Sequence, residues 1–416
     1  MTLVKTSILS AISSVISIIS GFIITKVIAV YVGPSGLATI GQLHNFISIV
    51  LNISGGFLKT ATTKYTAEYL DENDKKYQLW SVSIKMIFVL NLIAFFCLFF
   101  FSDNVAGILF KSTEYGYVLQ VLAFSLPLFI LNTMLLSILN GHKQIKKYIT
   151  INIVLSIVSL VLVSFLSMYY GLKGALIAYV INQSVVFFIT LFFVRNEYWF
   201  KVEHFLYKGT YKDIKKLLGF ALITLVAVLS SNFSLLYIRD FIIDSISIES
   251  AGYWQGIWSL SQVSLSLITV SLATYFLPTL SSLKNKYDIS KELKEAIKFI
   301  VPITFVISIT IYFLRDFIIN VLFTKEFIQM RELFLWQMIG NVIKVSGWLF
   351  GYVLVAKAMI KYTVSTEIVF AFTFAGLSTY LIGNYGLIGV TYAYAANGLI
   401  HFLTMLYVYK YKINHE

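Results

Sequence analysis

The sequence predicts an all-α membrane protein that crosses the lipid bilayer about twelve times and is built from two similar six-helix halves. Of its 416 residues, 58% are hydrophobic and only 12% carry a charged side chain. The mean hydropathy of +0.82 is far above that of a domain that folds in water. Apolar segments long enough to cross a hydrocarbon core of about 30 Å recur along nearly the whole chain, and the loops between them leave no room for a soluble domain.

Hydropathy places the membrane helices one after another along the chain. Their predicted ranges are 4–32, 36–66, 78–101, 116–140, 147–169, 172–194, 216–240, 250–281, 293–314, 328–356, 362–382 and 386–409. The first is a membrane helix rather than a signal peptide, because Lys26 lies near its end and no small-residue cleavage site follows. Gly33 and Pro34 break the chain between the first two helices, and Pro278 lies in the eighth. These three positions are candidate hinges for gating, and simple packing bends are the alternative.

Positively charged residues outside the predicted helices are concentrated on one side of the membrane. The connection between the halves is strongly basic, with Arg195, Lys201, Lys208, Lys212, Lys215 and Lys216. Cytoplasmic loops carry such an excess of Lys and Arg, so we expect both termini to be cytoplasmic. The net charge of +12 then reflects this topology and attraction to membrane lipids with anionic headgroups, and nucleic acid is not an expected partner.

An internal repeat relates the two halves. The residues Gly171, Leu172, Gly174, Ala178, Tyr179 and Asn182 recur as Gly386, Leu387, Gly389, Ala393, Tyr394 and Asn397, at a constant offset of 215 residues. Because each half holds an even number of helices, the halves should share one orientation and enclose a central cavity. We therefore predict a six-helix lobe over 1–195, a cytoplasmic linker over 196–215 and a second six-helix lobe over 216–416.

Four basic residues fall within or at the end of predicted membrane helices, namely Lys26, Lys59, Arg239 and Lys344. Each costs roughly 2.5 to 3.5 kcal/mol at the bilayer centre, so each should face protein or water rather than lipid. Lys26 and Arg239 are related by a repeat offset of 213, and both have the alternative of extending to the outer interface. For Lys59 and Lys344, which lie deeper, we favour a position in the cavity.

A cavity lined by basic groups suits an anionic ligand such as phosphate or pyrophosphate. Four aromatic residues, Trp254, Trp258, Tyr275 and Trp348, could stack on sugar rings there, and contact with lipid at the membrane interfaces is the alternative. The sequence shows no catalytic constellation, nucleotide motif or metal-ligand spacing, and its single cysteine cannot form an intrachain disulfide. We therefore expect a transporter that is not an enzyme and needs no metal or cofactor.

The chain resembles a known family of transporters over its whole length. The matching positions are Lys5, Lys26, Gly33-Pro34, Gly36, Thr63-Lys64-Tyr65, Trp254-Gln255-Gly256, Leu277-Pro278-Thr279-Leu280, Leu314-Arg315-Asp316-Phe317, Trp336-Gln337, Lys344-Val345, Phe350-Gly351-Tyr352 and Ala356-Lys357. With these residues it is similar to the Wzx-type flippases of lipid-linked oligosaccharides, which include the O-antigen translocases and the lipid III flippases of enterobacterial common antigen. They belong, together with the MATE transporters, to the multidrug/oligosaccharidyl-lipid/polysaccharide exporter superfamily.

The resemblance implies two lobes in a MATE-like arrangement around a basic cavity. It implies that an undecaprenyl-pyrophosphate-linked glycan moves by alternating access from the cytoplasmic to the periplasmic leaflet of the bacterial inner membrane. Lys26, Arg239 and Lys344 lie where this family has basic residues, whereas Lys59 is proposed from its depth alone. Other polysaccharide assembly proteins are candidate partners.

Two other functions are compatible with a polytopic membrane protein. A drug or cation antiporter of the same superfamily would be expected to hold acidic residues within the membrane, and the cavity helices show lysine instead. A glycan polymerase embedded in the membrane would be expected to have large periplasmic loops with catalytic groups, and the predicted outer loops are short.

Overall fold

The computed structural model describes residues 3–283, 285–357 and 359–413, and within these ranges the chain is helical with short turns and no β-strand. The helices are α1 (Leu3–Tyr31), α2 (Gly33–Leu51), α3 (Leu58–Glu68), α4 (Asn73–Phe100), α5 (Ser102–Phe110), α6 (Gly116–Gly141), α7 (Ile145–Val194), α8 (Tyr211–Ser245), α9 (Ile248–Ser271), α10 (Leu277–Ser282), α11 (Lys286–Phe313), α12 (Arg315–Leu322), α13 (Phe334–Ala356), α14 (Ile360–Tyr385) and α15 (Ile388–Val408). Each of the twelve predicted membrane segments is largely helical in the ranges described, which confirms the predicted fold class.

The described part of the chain contains nine helical stretches that are long and apolar enough to span a membrane. One of them, α7, has 50 residues and a length of about 75 Å, enough for two crossings. The two crossings are separated at Gly171, where φ is 55° and ψ is −136°. This is why one helix covers two predicted segments.

The repeated glycines form equivalent turns in the two halves of the chain. Gly386 ends α14 with φ 67° and ψ −152°, close to the values at Gly171. Both have the positive φ that favours glycine. A Cβ atom on Gly174 would lie 2.0 Å from the Leu166 carbonyl oxygen, and one on Gly389 would lie 2.2 Å from the Leu381 carbonyl oxygen. The sequence repeat therefore corresponds to a repeated backbone turn that only glycine fits.

The helices pack into two compact units. Unit 1 comprises Met1–Val32 and Thr39–Leu229, and unit 2 comprises Gly33–Ala38 and Ser230–Glu416. In unit 1, α6 packs against α3, α4 and α7, while α1 packs along α7. In unit 2, α13 is central and packs against α11, α14 and α15.

Rings from the connection that follows α7 pack onto the beginning of α4 in unit 1. Trp199 and Phe205 contact Trp80, with ring centres 5.9 and 5.7 Å apart. His204 stacks on Tyr77 with ring centres 3.8 Å apart. Because Trp80 and Trp199 are fully buried, this connection is part of the folded core of unit 1 rather than a free linker.

A partly buried acid ties the same connection to the start of α7. Glu197 accepts a hydrogen bond from the Gln144 amide at 2.6 Å and another from the Lys147 ammonium. Burial acts to raise the pKa of Glu197, but these two hydrogen bonds and the nearby charge of Lys147 together hold the pKa below its usual value.

His142, in the turn after α6, contacts the same rings. Its imidazole lies 5.6 Å from the ring centres of both Trp80 and Trp199. Burial lowers the pKa of His142 to about 4, and the nearby Lys76 ammonium acts in the same direction. The imidazole is therefore neutral at pH 7.

We predict that acidification destabilises the protein through His142. Below pH 6.5 the histidine of the unfolded chain binds a proton, whereas in the folded chain the pKa of about 4 keeps His142 neutral. Protonation therefore favours the unfolded chain, so the free energy of unfolding is highest above pH 6.5 and falls below it. Between pH 7 and pH 5, protonation of this histidine should lower the free energy of unfolding of the wild type by up to about 2 kcal/mol. Thermal unfolding in detergent at each pH measures the loss, and His142→Phe, which keeps a ring, should show a smaller one. An equal pH dependence in the two proteins would contradict this assignment.

Candidate functional site

The ammonium group of Lys344 is surrounded by aromatic rings in unit 2. Its Nζ atom lies 5.7 Å from the Trp258 ring centre, 5.7 Å from that of Trp348 and 4.9 Å from that of Tyr394. These rings come from α9, α13 and α15, and together with Lys344 we call them the aromatic cage. A cation is attracted to the electron-rich faces of such rings, most strongly where water is excluded. The cage thus stabilises a positive charge without neutralising it.

Hydrogen bonds position one wall of the aromatic cage. The Tyr394 hydroxyl donates to Oδ1 of Asn341 at 2.9 Å, and the Asn341 amide donates to the Ser261 hydroxyl at 3.3 Å. Both Asn341 and Ser261 are buried. Since a buried amide without partners is costly, this chain of bonds holds the Tyr394 ring in one orientation beside Lys344.

Close approach of α13 and α15 also depends on glycine. A Cβ atom on Gly340 would lie 2.4 Å from Cδ1 of Tyr394, and one on Gly347 would lie 2.5 Å from Nδ1 of His401. These glycines lie on either side of Lys344 along α13. They let the two helices approach closely enough for Tyr394 to contact the ammonium group.

Arg239 lies on α8 in unit 2 and is 1% exposed. Its guanidinium donates a hydrogen bond to Oε1 of Gln255 and lies 5.4 Å from the ring centre of Trp254. The planar guanidinium suits this combination of a ring face and an in-plane acceptor. Arg239 is therefore held in the interior of unit 2 rather than extended from its surface.

Lys26 and Lys59 belong to unit 1, so each unit carries two of the four predicted basic residues. Lys26 is half-buried on α1. Lys59 is exposed on α3 and lines a small cavity beside a break in the second membrane helix.

The four predicted sugar-stacking residues lie in different environments. Trp254 is fully buried under Arg239, whereas Tyr275 is 65% exposed. Trp258 and Trp348 are half-buried and form two walls of the aromatic cage. The structure thus brings three of the four beside a predicted basic residue, Trp254 beside Arg239 and the other two beside Lys344.

The predicted hinge positions also have defined neighbours. Gly33 has φ 73°, and a Cβ atom there would lie 3.4 Å from a carboxylate oxygen of Glu326. A Cβ atom on Gly252 would lie 2.0 Å from the Pro34 carbonyl oxygen, so this turn packs tightly on the start of α9. Pro278 lies in the first turn of α10, directly after a π-helical turn over Leu272–Phe276, where its missing N–H is tolerated.

Sequence reasoning missed the polar support of the aromatic cage. Tyr394 stands out in the sequence only as part of the repeat, and Asn341 was not predicted. A usable signal was present, since Asn341 is an amide one turn before Lys344 on the same membrane helix. Its partner Ser261 is far away in sequence and leaves no such signal.

In the part of the chain that the structure describes, no group of three or more His, Cys, Asp or Glu side chains is arranged to hold a metal ion.

Comparisons with known proteins agree with this architecture. The family model described as "Polysaccharide biosynthesis protein" matches residues 3–284, and the model "Lipid II flippase MurJ" matches residues 187–414. The curated lipid III flippases of Escherichia coli (strain K12) and Shigella flexneri are each 26% identical over 402 residues, which is 97% of this chain and of theirs.

Solved structures show the same fold at low sequence identity. An inward-facing multidrug resistance MATE family transporter of the MOP superfamily superposes with a TM-score of 0.79 at 13% identity, covering 96% of both chains. Lipid II flippase MurJ in an inward closed conformation superposes with a TM-score of 0.76 at 17% identity, covering 98% of this chain and 87% of that one. The predicted MATE-like fold is confirmed.

We predict that Gly340→Ala destabilises the protein, because the new methyl group collides with the Tyr394 ring. Overpacking of this kind costs about 1 to 3 kcal/mol. Gly351→Ala on the same helix is the matched control, since a Cβ atom there meets nothing within 4 Å. Thermal unfolding in detergent should show a lower midpoint for Gly340→Ala only. Equal midpoints for the two variants would contradict the close approach.

Proposed function

The chain belongs to the polysaccharide biosynthesis protein family, and we propose that it is a flippase that moves an undecaprenyl-pyrophosphate-linked oligosaccharide across the bacterial inner membrane. The match to lipid III flippases over 97% of the chain and to the lipid II flippase family model supports a lipid-linked cargo of this type. The cargo is an O-antigen repeat unit or lipid III, and its movement runs from the cytoplasmic to the periplasmic leaflet.

This proposal rests on the observation that neutral aromatic rings stabilise the positive charge of Lys344. Among the described residues Lys344 makes no ion pair, although Glu367 on α14 is near enough to interact with it electrostatically. A lysine held by uncharged groups keeps its positive charge available for an anion. A pyrophosphate supplies that anion, with oxygen acceptors for the ammonium protons.

We assign the other basic residues to the same cargo. Lys26 and Lys59 in unit 1, and Arg239 and Lys344 in unit 2, each supply positive charge to the pyrophosphate in the course of alternating access. Trp258 and Trp348, beside Lys344, are the candidates for contact with the glycan, because an aromatic face stacks on a sugar ring. The polyprenyl tail stays in the lipid.

The membrane potential favours this direction of transport if both termini are cytoplasmic, as the distribution of lysines indicates. Moving an anion outward across an inside-negative membrane gains roughly 2.3 kcal/mol per charge per 100 mV. The pyrophosphate can therefore be driven without a carboxylate relay. Other polysaccharide assembly proteins are proposed partners at the membrane.

We predict that Lys344→Met lowers surface glycan at least about 10-fold in a strain that lacks the gene, because one charge-assisted hydrogen bond to phosphate contributes roughly 1.5 to 3 kcal/mol. Methionine keeps most of the side-chain volume, and immunoblotting checks the protein level. Lys361→Met, at the exposed start of α14, is the control and should export glycan normally.

Normal surface glycan in the Lys344→Met strain would contradict the role of this residue. Drug-efflux assays with the wild-type protein separate the flippase from the antiporter of the same superfamily. Clear drug resistance without any effect on glycan export would favour the antiporter.

A further inference from the structure

The second membrane helix of unit 1 is broken near its middle. Helix α2 ends at Leu51, a π-helical turn covers Asn52–Gly56, and α3 begins at Leu58. Gly55 has φ 124° and ψ −5°, a conformation that favours glycine. A Cβ atom on Gly55 would also lie 2.7 Å from Cγ1 of Ile87 on α4. Glycine is thus required here both by the backbone and by the neighbouring helix.

A buried amide stabilises the break. The Asn91 side chain on α4 donates to the carbonyl oxygens of Ser54 and Ile87, both at 2.8 Å. Irregular backbone at membrane depth is tolerated only where such partners exist or where it lines a cavity. Because π-helical turns occur frequently at functional sites, the break indicates a specific role rather than a packing defect.

A small cavity opens beside the break, between α3, α4 and α6. Its lining includes Gly55, Lys59, Thr62, Ile87 and Thr133. The space admits about one water-sized group, which is also the size of one phosphoryl oxygen. Ile87 lies about 21 Å along α4 from its start at Asn73, which is about half the length of this helix and places the cavity near the middle of the membrane span.

Of the three polar side chains that line this cavity, those of Lys59 and Thr62 can donate a hydrogen bond into it, and none of the lining residues is acidic. Thr62 is 1% exposed, and its hydroxyl bonds to no side chain or carbonyl in the described ranges. Lys59 makes no ion pair with a described residue. The Thr133 hydroxyl has already donated its proton to the Phe129 carbonyl at 3.1 Å. Two donors, an ammonium and a hydroxyl, are therefore available to an acceptor.

Helix α3, with 11 residues, adds to this preference because it starts at the cavity. The N-terminal end of a helix carries a partial positive charge that favours anions. Lys59 and Thr62 are three residues apart on α3 and thus lie on the same face of that helix. Ammonium, hydroxyl and helix end together match a negatively charged oxygen better than a neutral water.

We propose that this cavity is a phosphoryl-binding site for the cargo. One unbridged oxygen of a lipid-linked diphosphate enters it, accepts the Thr62 hydroxyl proton in a hydrogen bond and pairs with the Lys59 ammonium at the mouth. The inference rests on the proposed function, since it locates one contact point of the same cargo, and it adds Thr62 and the Gly55 break to that site. A phospholipid headgroup presents the same phosphoryl chemistry, and titrations in two lipid compositions distinguish the two sources.

Binding of farnesyl diphosphate, a short prenyl diphosphate, tests the site in phosphatidylcholine nanodiscs by isothermal titration calorimetry. Lys59→Gln removes the charge, and Thr62→Val removes the hydroxyl at nearly constant volume. Each should weaken binding about 10-fold, as expected for the loss of one hydrogen bond to an anion. Thr60→Val, on an exposed face of the same helix, is the matched control and should bind like the wild type. Thermal midpoints check that all variants remain folded.

Unchanged affinity in both Lys59→Gln and Thr62→Val would overturn the proposal, as would an equal loss in Thr60→Val. The titration is repeated in nanodiscs that contain phosphatidylglycerol. If this lipid abolishes the difference between wild type and Thr62→Val, the cavity binds phospholipid headgroups and the assignment to cargo is wrong.

Glycan export separates this proposal from the function on which it rests. If Lys344→Met loses surface glycan while Lys59→Gln and Thr62→Val keep both export and diphosphate affinity, only the phosphoryl site is refuted. If all three variants export glycan normally, only the roles of these residues are refuted. If the wild-type gene fails to restore surface glycan in the deletion strain, the proposed function itself fails.

Discussion

A charged side chain in the middle of a bilayer costs about 2.5 to 3.5 kcal/mol, so each basic group held there needs a compensating partner. At Lys344 the partners are three aromatic rings, and cation–π contacts of this kind contribute up to about 2 kcal/mol when water is excluded. An ion pair would compensate the cost as well, but it would also cancel the charge. The neutral cage leaves Lys344 without an ion pair among the described residues, although Glu367 interacts with it electrostatically, and an anion-binding site requires a basic group that is available in this way.

Exposed basic residues have a different kind of partner from Lys344. Lys173 pairs with Glu114 at 2.6 Å, and Arg331 pairs with Asp316 at the same distance, all four side chains being at least half exposed. Such pairs contribute little to stability because water screens them. The contrast with Lys344 shows that burial and partner, not residue type, decide what a basic side chain does in this protein. This distinction is invisible in the bare positions of Lys and Arg along the sequence.

Glycine determines the close approaches on which both candidate sites depend. Gly340 and Gly347 let α15 approach α13 so that Tyr394 reaches Lys344, and Gly55 lets the broken second helix contact α4 beside Lys59. A larger residue at any of these positions would separate the helices or distort the turn. The small residues therefore shape the sites indirectly, by setting the distances at which the polar side chains meet.

Composition and hydropathy determined the all-α membrane class and the twelve helical segments, because both follow from the length of local apolar segments. The repeat determined the equivalent turns at Gly171 and Gly386, because their backbone conformation is one that favours glycine. The cost of charge in lipid likewise singled out Lys59 and Lys344 from sequence alone. Only the tertiary structure decided their partners. Ser261, Asn341 and Tyr394 come from three different helices. Thr62 becomes a candidate ligand-binding residue only because α4 and α6 close a cavity beside it. Contacts between distant segments depend on how helices pack, and packing is a property of the folded chain rather than of any local pattern in its sequence.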